Sequence, residues 1–480
     1  MRTSVKRGGG GWGWLGVLAA VPPLCIVAAG LSPLGLKGLA SESLLAVLRS
    51  WDAFHLALEP ALPLSRPARR VDPRPLHAQA AIMERDLDAD FTTDGGRLFL
   101  IATPPLPVGD VCLWQGVFAA EAALREAQEP GRRNLLRARK ALEGLALLSS
   151  KGRPIVRAVY PAALKTEPPG RWYHRDARWQ WKEDASVDSA VGWVFGVTMV
   201  RELVPELRGP ADALLVRYAE VLRAGGYRLR NSDGSLTRFN AVGGAFVDSP
   251  AGMLSTLAVL AQAARADPSG PWEADRARFL AQAQDRWGAY ASGPVLWRNE
   301  TTNHDIAFLA LAAALLTEQE PAVRTVYARG LVHLSRLTAK MGDSFWIYLS
   351  LWALDRAGCG DPRGDEEVAS WMARRRQLLA EAKVAMLEWD YPRCKVKREV
   401  VNSEREDIPM RRWPLWGPRV PRQPLPVWQR PPADFVWQRS AYALDDWVGY
   451  RGDPPQRFSP LDFLAAYRLG LAVGGLRPSE

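Results

Sequence analysis

The sequence is short of the residues that build metal centres and disulfide frameworks. Its 480 residues hold four cysteines, at 25, 112, 359 and 394, with no CxxC pair. Its five histidines, at 55, 77, 174, 304 and 333, show no HxxxH or HExxH spacing. A zinc site or a disulfide scaffold is therefore not expected, and no metal or cofactor is assigned. Clean alternation of apolar and polar residues, the mark of a half-buried strand, is scarce. No run of five basic residues occurs either. The net charge of +10 is dispersed along the chain and Arg374 to Arg376 fall in a helical pattern, so nucleic acid is not an expected partner. Three motifs fail on inspection. "GWGWLG" at 11–16 follows no strand, "DLDADFTTD" at 86–94 has Phe91 and Arg97 where an EF-hand loop needs Gly and Glu, and "DDWVG" at 445–449 lacks the third acid of a DDxxD magnesium motif.

The amino terminus carries Arg2, Lys6 and Arg7, and no charged side chain follows from Gly8 to Leu36. Pro22 and Pro23 interrupt that run, and "GLA" before Ser41 has the small residues of a cleavage site. Residues 1–40 are read as an export signal or membrane anchor. The remainder, 41–480, is then a single domain outside the cytoplasm: periplasmic, held at the inner membrane, or secreted. An uncleaved segment makes the membrane a partner.

Beyond residue 41 the apolar spacing is helical almost throughout, and an all-α fold is expected. One kind of helix start recurs six times: an acidic or amide-rich opening, then a helix apolar around most of its circumference. The starts fall at Asp110, Glu183, Asp248, Asn303, Asp343 and Asp462. Between them lie six amphipathic patterns, at 75–88, 132–150, 210–224, 273–290, 322–340 and 366–388. A helix apolar all round is buried, whereas an amphipathic one faces water on one side. Six of each, alternating, describe two concentric rings of hairpins, an (α/α)6 toroid, with the acidic openings gathered on one rim. One interval is long. Residues 389–447 hold nine prolines and six tryptophans and cannot be regular helix, so they are expected either as a lid over a rim or as a belt outside the toroid. A shorter insertion, 171–186, brings Trp172, Tyr173, Trp179 and Trp181 near the same rim.

Helical hairpins with rim acids and Trp-rich rim loops resemble the six-hairpin toroids, a superfamily that includes glycoside hydrolases, some polysaccharide lyases and sugar epimerases. The resemblance covers about residues 75–475 and lies in architecture alone. It carries no catalytic residue across. The chemical argument is separate: glycosidic cleavage needs one carboxylic acid to protonate the leaving oxygen and a second carboxylate to activate water or attack carbon. Twenty tryptophans offer indole faces for sugar C–H surfaces. Against this, Asp and Ser are favoured helix caps, which is the better account of Asp248, Asp343 or Asp462 taken singly. Asp184 and Asp188 stand four apart, so they share a helix face of which only one residue can be the cap. Asp188 and Asp305 are therefore read as the acid and base pair, with Asp110 as substitute for either. Trp114, Trp179, Trp181, Trp193, Asn303 and His304 are expected around carbohydrate, and Arg298 and Tyr348 would serve with His304 if a uronate is the substrate of a lyase or epimerase. The contrasting expectation is a toroid that only binds glycan or an envelope partner, its acids being caps.

Overall fold

The computed structural model describes residues 70–480 apart from 104, 106–109, 152–153, 165–171, 239–248, 284–301, 360–363, 396–409, 413–418, 422, 431–434, 439–440 and 443–455. The export segment, Asp248 and Arg298 lie outside the described residues, as does the side chain of Asn303. Those described all belong to one unit of the chain, residues 63–292 and 296–480. None of the described helices is long and apolar enough to cross a membrane.

The chain is mostly helical. Its described helices are α1 (Leu76–Asp90), α2 (Val111–Gln128), α3 (Arg132–Ser150), α4 (Val187–Leu203), α5 (Arg208–Ala224), α6 (Pro250–Ala266), α7 (Trp272–Ala283), α8 (Thr302–Thr317), α9 (Pro321–Thr338), α10 (Ser344–Arg356), α11 (Glu366–Ala373), α12 (Arg375–Leu387) and α13 (Leu461–Ala472). Each expected helix has a counterpart among the described residues, the 273–290 pattern as far as Ala283, beyond which 284–290 lie outside them. The pattern at 366–388 departs in one way, being two helices because the chain tightens at Arg374, whose N–H reaches the Trp371 carbonyl at 3.0 Å.

Burial separates two classes as the sequence pattern implies. In α2, residues 111–126 are buried without a break, and in α8 residues 304–315 are likewise. In α3 only Ala138, Ala141, Leu142, Gly144, Leu145, Leu148 and Ser149 are buried, one stripe at helical spacing. The fully buried helices form a closed circuit of packing: α2 on α4, α4 on α6, α6 on α8, α8 on α10, α10 on α13, and α13 back on α2. α4 also touches α8 across the circuit. The amphipathic helices pack outside it, α3 on α2, α5 on α4 and α6, α7 on α6, α9 on α8 and α10, α12 on α10 and α13, and α1 on α13.

Two features fasten the circuit. Gly116 of α2 meets Gly192 and Gly196 of α4 backbone to backbone, which is why these two helices approach so closely. Where the last helix meets the first ones, the fully buried Glu121 of α2 lies among Arg137, Arg468 and Glu84. Arg468 of α13 is bonded to Glu84 of α1 and, at 2.7 Å, to Glu129. Gln128 Nε2 donates to the Arg468 carbonyl at 2.6 Å. Burial pushes Glu121 up to about 7, even with Arg468 nearby.

Short antiparallel strands occupy the connections, which modifies the all-α expectation. They are β1 (Thr92–Thr93), β2 (Leu98–Phe99), β3 (Ala102–Thr103), β4 (Ala158–Pro161), β5 (Tyr173–Arg175), β6 (Trp179–Lys182), β7 (Cys394–Lys395), β8 (Met410–Arg412), β9 (Arg419–Pro421) and β10 (Gln456–Phe458). The aromatic insertion at 171–186 is largely a hairpin of β5 and β6, with β4 on the other side of β6. Tyr173, Trp179 and Trp181 suit a pleated surface better than a loop. A second sheet, β3–β10–β7, ties the start of the Trp/Pro-rich insertion to the segments preceding α2 and α13.

Candidate functional site

The N-terminal ends of the buried helices were the expected site, and the structure divides their acids into two groups. The first group, Asp184, Asp343 and Asp462, meets Arg238 and the Trp/Pro-rich insertion. Asp184 has φ +63° and precedes α4 rather than sharing a face of it with Asp188, since the helix begins only at Val187. Its carboxylate accepts the Arg238 backbone N–H and Nε, each at 2.7 Å. Asp343 is fully buried against the Arg430 guanidinium, which also donates to the carbonyls of Met341 at 2.8 Å and Leu425 at 3.1 Å. Asp462 accepts the Val436 N–H at 2.9 Å, and Trp437 Nε1 donates to its carbonyl at 2.8 Å. Burial pushes Asp343 up to about 6 and Asp462 up to about 7, with the arginine and the amide respectively opposing it.

Arg430, Val436 and Trp437 belong to the Trp/Pro-rich insertion, so these described residues of it meet the openings of α10 and α13. Phe435 completes the seat, stacking on Trp114 of α2 at 4.2 Å and meeting Phe345 of α10 edge-on at 5.3 Å. Trp114, expected to offer an open face to sugar, has that face covered by Phe435.

The second group comprises Asp110, Asp188 and Asp305. The α4 cap is Ser186, which forms a capping box with Ser189, leaving Asp188 in the first turn without that duty. Asp110 sits at the cap position of α2 but makes no side-chain capping bond. Its carboxylate instead meets Arg157 Nη2 at 2.9 Å. Asp305 lies inside the first turn of α8 and is 1% exposed, its Oδ1 accepting the indole N–H of Trp346. His304 is buried beside it, 6.2 Å from Trp346 between ring centroids, and Phe308 stacks on the same indole at 5.2 Å. Ser186→Ala is therefore expected to lower stability by about 1 kcal/mol, as a lost cap does. Urea unfolding measures this, and an unchanged midpoint would show that the capping box is not what holds the opening of α4.

The β4–β6–β5 sheet stands at this end because Arg157, next to β4, accepts the Cys112 N–H through its carbonyl and reaches Asp110 with its side chain. Trp179 is buried in it under Arg178, whereas Trp181 is half-buried between His174 at 5.4 Å and Lys151 at 4.7 Å. Two expected ligands lie elsewhere. Trp193 faces the outer layer, donating to the Leu145 carbonyl at 2.8 Å and stacking on Tyr218 at 4.6 Å. Tyr348 is fully buried against Gly470 and Gly475, and burial holds its hydroxyl well above the usual range. Trp346, Arg430, Phe435 and Arg157 were not anticipated. Of these only Trp346 had a sequence signal, its place one turn into a helix opening.

Among the described residues no three His, Cys, Asp or Glu side chains gather as metal ligands. No protein-family model matches this sequence, and no curated protein matches it. Among solved structures, a sugar epimerase from a ruminal bacterium is similar over 83% of this chain and 100% of its own, with 11% identity and a TM-score of 0.41. So loose a likeness carries no weight for the function.

Proposed function

We propose that the chain is an exported carbohydrate-active protein of glycoside hydrolase type, built as an (α/α)6 toroid with its site at the mouth formed by the N-terminal ends of α2, α4 and α8. The observation that carries this reading is that three carboxylates stand at helix openings: Asp110 makes no side-chain capping bond, α4 is capped by Ser186 and not by Asp188, and Asp305 is buried in the first turn of α8 against Trp346. At α4 the Ser186–Ser189 capping box already serves the opening, so Asp188 is available for another role. Asp305, dry and fixed by the Trp346 indole, is assigned as the proton donor to the leaving oxygen. Asp188 is assigned as the base that activates water, with Asp110 as its substitute. His304 and the exposed edge of the β4–β6–β5 sheet would bind sugar hydroxyls and C–H faces. In an exported protein this substrate would be met outside the cytoplasm.

A second reading, a toroid that binds glycan or an envelope partner without turnover, is favoured by the insertion seated on Asp343, Asp462 and Trp114. A lyase or epimerase is less well served, since Tyr348 is buried away from the mouth. The test is release of reducing ends, and of uronate-type ultraviolet absorbance, from neutral and acidic polysaccharides. Asp305→Asn and Asp188→Asn are each expected to lower turnover by roughly 10²–10⁴-fold, the usual worth of a general acid or base, with unchanged circular dichroism. Thermal shifts from a glycan without any turnover would establish the binding reading in its place.

A further inference from the structure

Where the helical circuit closes, one buried acid is left over from the charge balance. Glu121 of α2 is fully buried, and α1, α3 and α13 each bring a charged group to it. Its Oε2 accepts from Arg137 Nη2 at 3.2 Å. Its Oε1 lies 4.0 Å from Arg468 Nε, and neither of those two buried atoms has a hydrogen-bond partner among the described residues. A carboxylate and a guanidinium N–H that face each other away from water close to about 2.7–2.9 Å. A stand-off of 4.0 Å is the spacing of two groups that exchange no hydrogen bond, as two donors do when the carboxyl turns an O–H toward the arginine.

Charge balance leads to the same state. Arg468 is bonded to Glu84 and, at 2.7 Å, to Glu129, while Arg125 reaches Glu84 at 3.0 Å and Arg137 is bonded to Asp88. Three guanidinium groups, on α13, α2 and α3, are thus matched by three carboxylates, Glu84 and Asp88 of α1 and Glu129 at the end of α2. Arg133 meets Asp88 at 3.5 Å from the solvent side, being 78% exposed. Tyr467 of α13 lies beside Arg468 and stays neutral, since burial holds its hydroxyl above the usual range. Glu121 is the fourth carboxyl and the most deeply buried. Ionised, it leaves the seam one negative charge in excess, which a buried cluster sustains only at a cost. Burial pushes Glu121 up to about 7, with Arg468 opposing the rise and Glu84 adding to it.

We propose that Glu121 is a proton-operated latch on the helical circuit: protonated, it lets α13 seal against α1, α2 and α3, and ionised, it loosens that seal. α13 is the element that opens, because Arg468 is its link to α1 and to the end of α2. A carboxyl raised from 4.5 to about 7 contributes stability that is complete below about pH 4.5 and is lost as pH rises to 7.

The experiment is hydrogen exchange of the α13 backbone amides in the full-length protein between pH 5 and pH 8, corrected for the intrinsic rate, beside Glu121→Gln. Glutamine copies the protonated form in shape and charge. Native α13 is expected to open about tenfold more often per pH unit up to 7 and then level off, one proton being released at each opening. Glu121→Gln should lose that rise and be about a hundredfold better protected than the native protein at pH 8. Asp462, also buried on α13 and raised to about 7, is intact in both proteins and so drops out of the comparison. Glu84→Gln removes one carboxylate from the balance and should bring the levelling-off to lower pH. An ordinary buried ion pair has the opposite sign, Glu121→Gln then being less protected than the native protein at pH 8. That result, equal profiles for the two proteins, or a levelling-off unmoved by Glu84→Gln would overturn the proposal.

Discussion

Gly192→Ala is expected to cost about 3 kcal/mol or more of folding stability, the upper end for overpacking, although it adds a single methyl group in a helix. Alanine is ordinarily the better helix former, so the sign of the effect comes from packing alone. A Cβ at Gly192 would stand 2.5 Å from the Leu113 Cα, and one at Gly196 would stand 2.6 Å from the Gly116 Cα. These neighbours are backbone, so no rotamer change relieves the clash and α2 and α4 must separate along their contact. Because each of the two also packs on further members of the circuit, the separation propagates. Gly209→Ala is the control, since nothing lies within 4 Å of a Cβ there. It should leave stability within roughly 0.5 kcal/mol. Urea unfolding followed by circular dichroism decides the matter. A Gly192→Ala midpoint equal to the native one would mean the helices part without cost, and the close crossing would lose its significance.

Arg430→Met is expected to cost about 3–5 kcal/mol, the usual loss when one partner of a buried ion pair is removed. The substitution strands the Asp343 carboxyl and leaves the carbonyls of Met341 and Leu425 without their donors. Asp343 has a way out, because burial already pushes it up to about 6 and the loss of Arg430 pushes it further in the same direction. The variant can therefore neutralise that group by taking up a proton, and its deficit should be larger at pH 8 than at pH 5. In the native protein the same logic gives a slope: Asp343 and Asp462, raised from 3.8 to about 6 and about 7, contribute stability that is complete below about pH 4 and is lost as pH rises through 6 and 7. Arg430→Met with Asp343→Leu should recover most of the loss, since a buried pair replaced whole by apolar groups is often neutral. A double variant no more stable than the single one, or a single-variant loss below about 1 kcal/mol at pH 8, would show that the insertion is not fastened at this point.

The helices were legible because their apolar spacing is a local property, and each of the twelve patterns has described helix within it, that at 366–388 broken at Arg374 and that at 273–290 described to Ala283. The facing of individual side chains on the buried helices was not. A helix apolar around its whole circumference carries no phase, so nothing in "VDSAVGWVFG" says that Gly192 turns toward α2 while Trp193 turns toward α3 and α5. Tyr348 on α10 was misjudged for the same reason. The seat of the 389–447 insertion was equally hidden, because prolines and tryptophans have no periodicity and Arg430 meets Asp343 across 87 residues of chain. At the openings the sequence found the acids but not their duties, which depend on whether a serine two residues earlier, as in α4, has already taken the cap.

The closure of the helical circuit by Arg468 fixes the order of events during synthesis. Its bonds to Gln128, Glu129 and Glu84 span 340, 339 and 384 residues. A nascent chain lacking residues 461–472 has the other described helices but no seal, and Glu121 then faces a gap in place of Arg468. Contacts of such long range form slowly and late. Until they form, the flanks of α2 and α10 on which α13 packs stay open to neighbouring chains, a surface prone to aggregation.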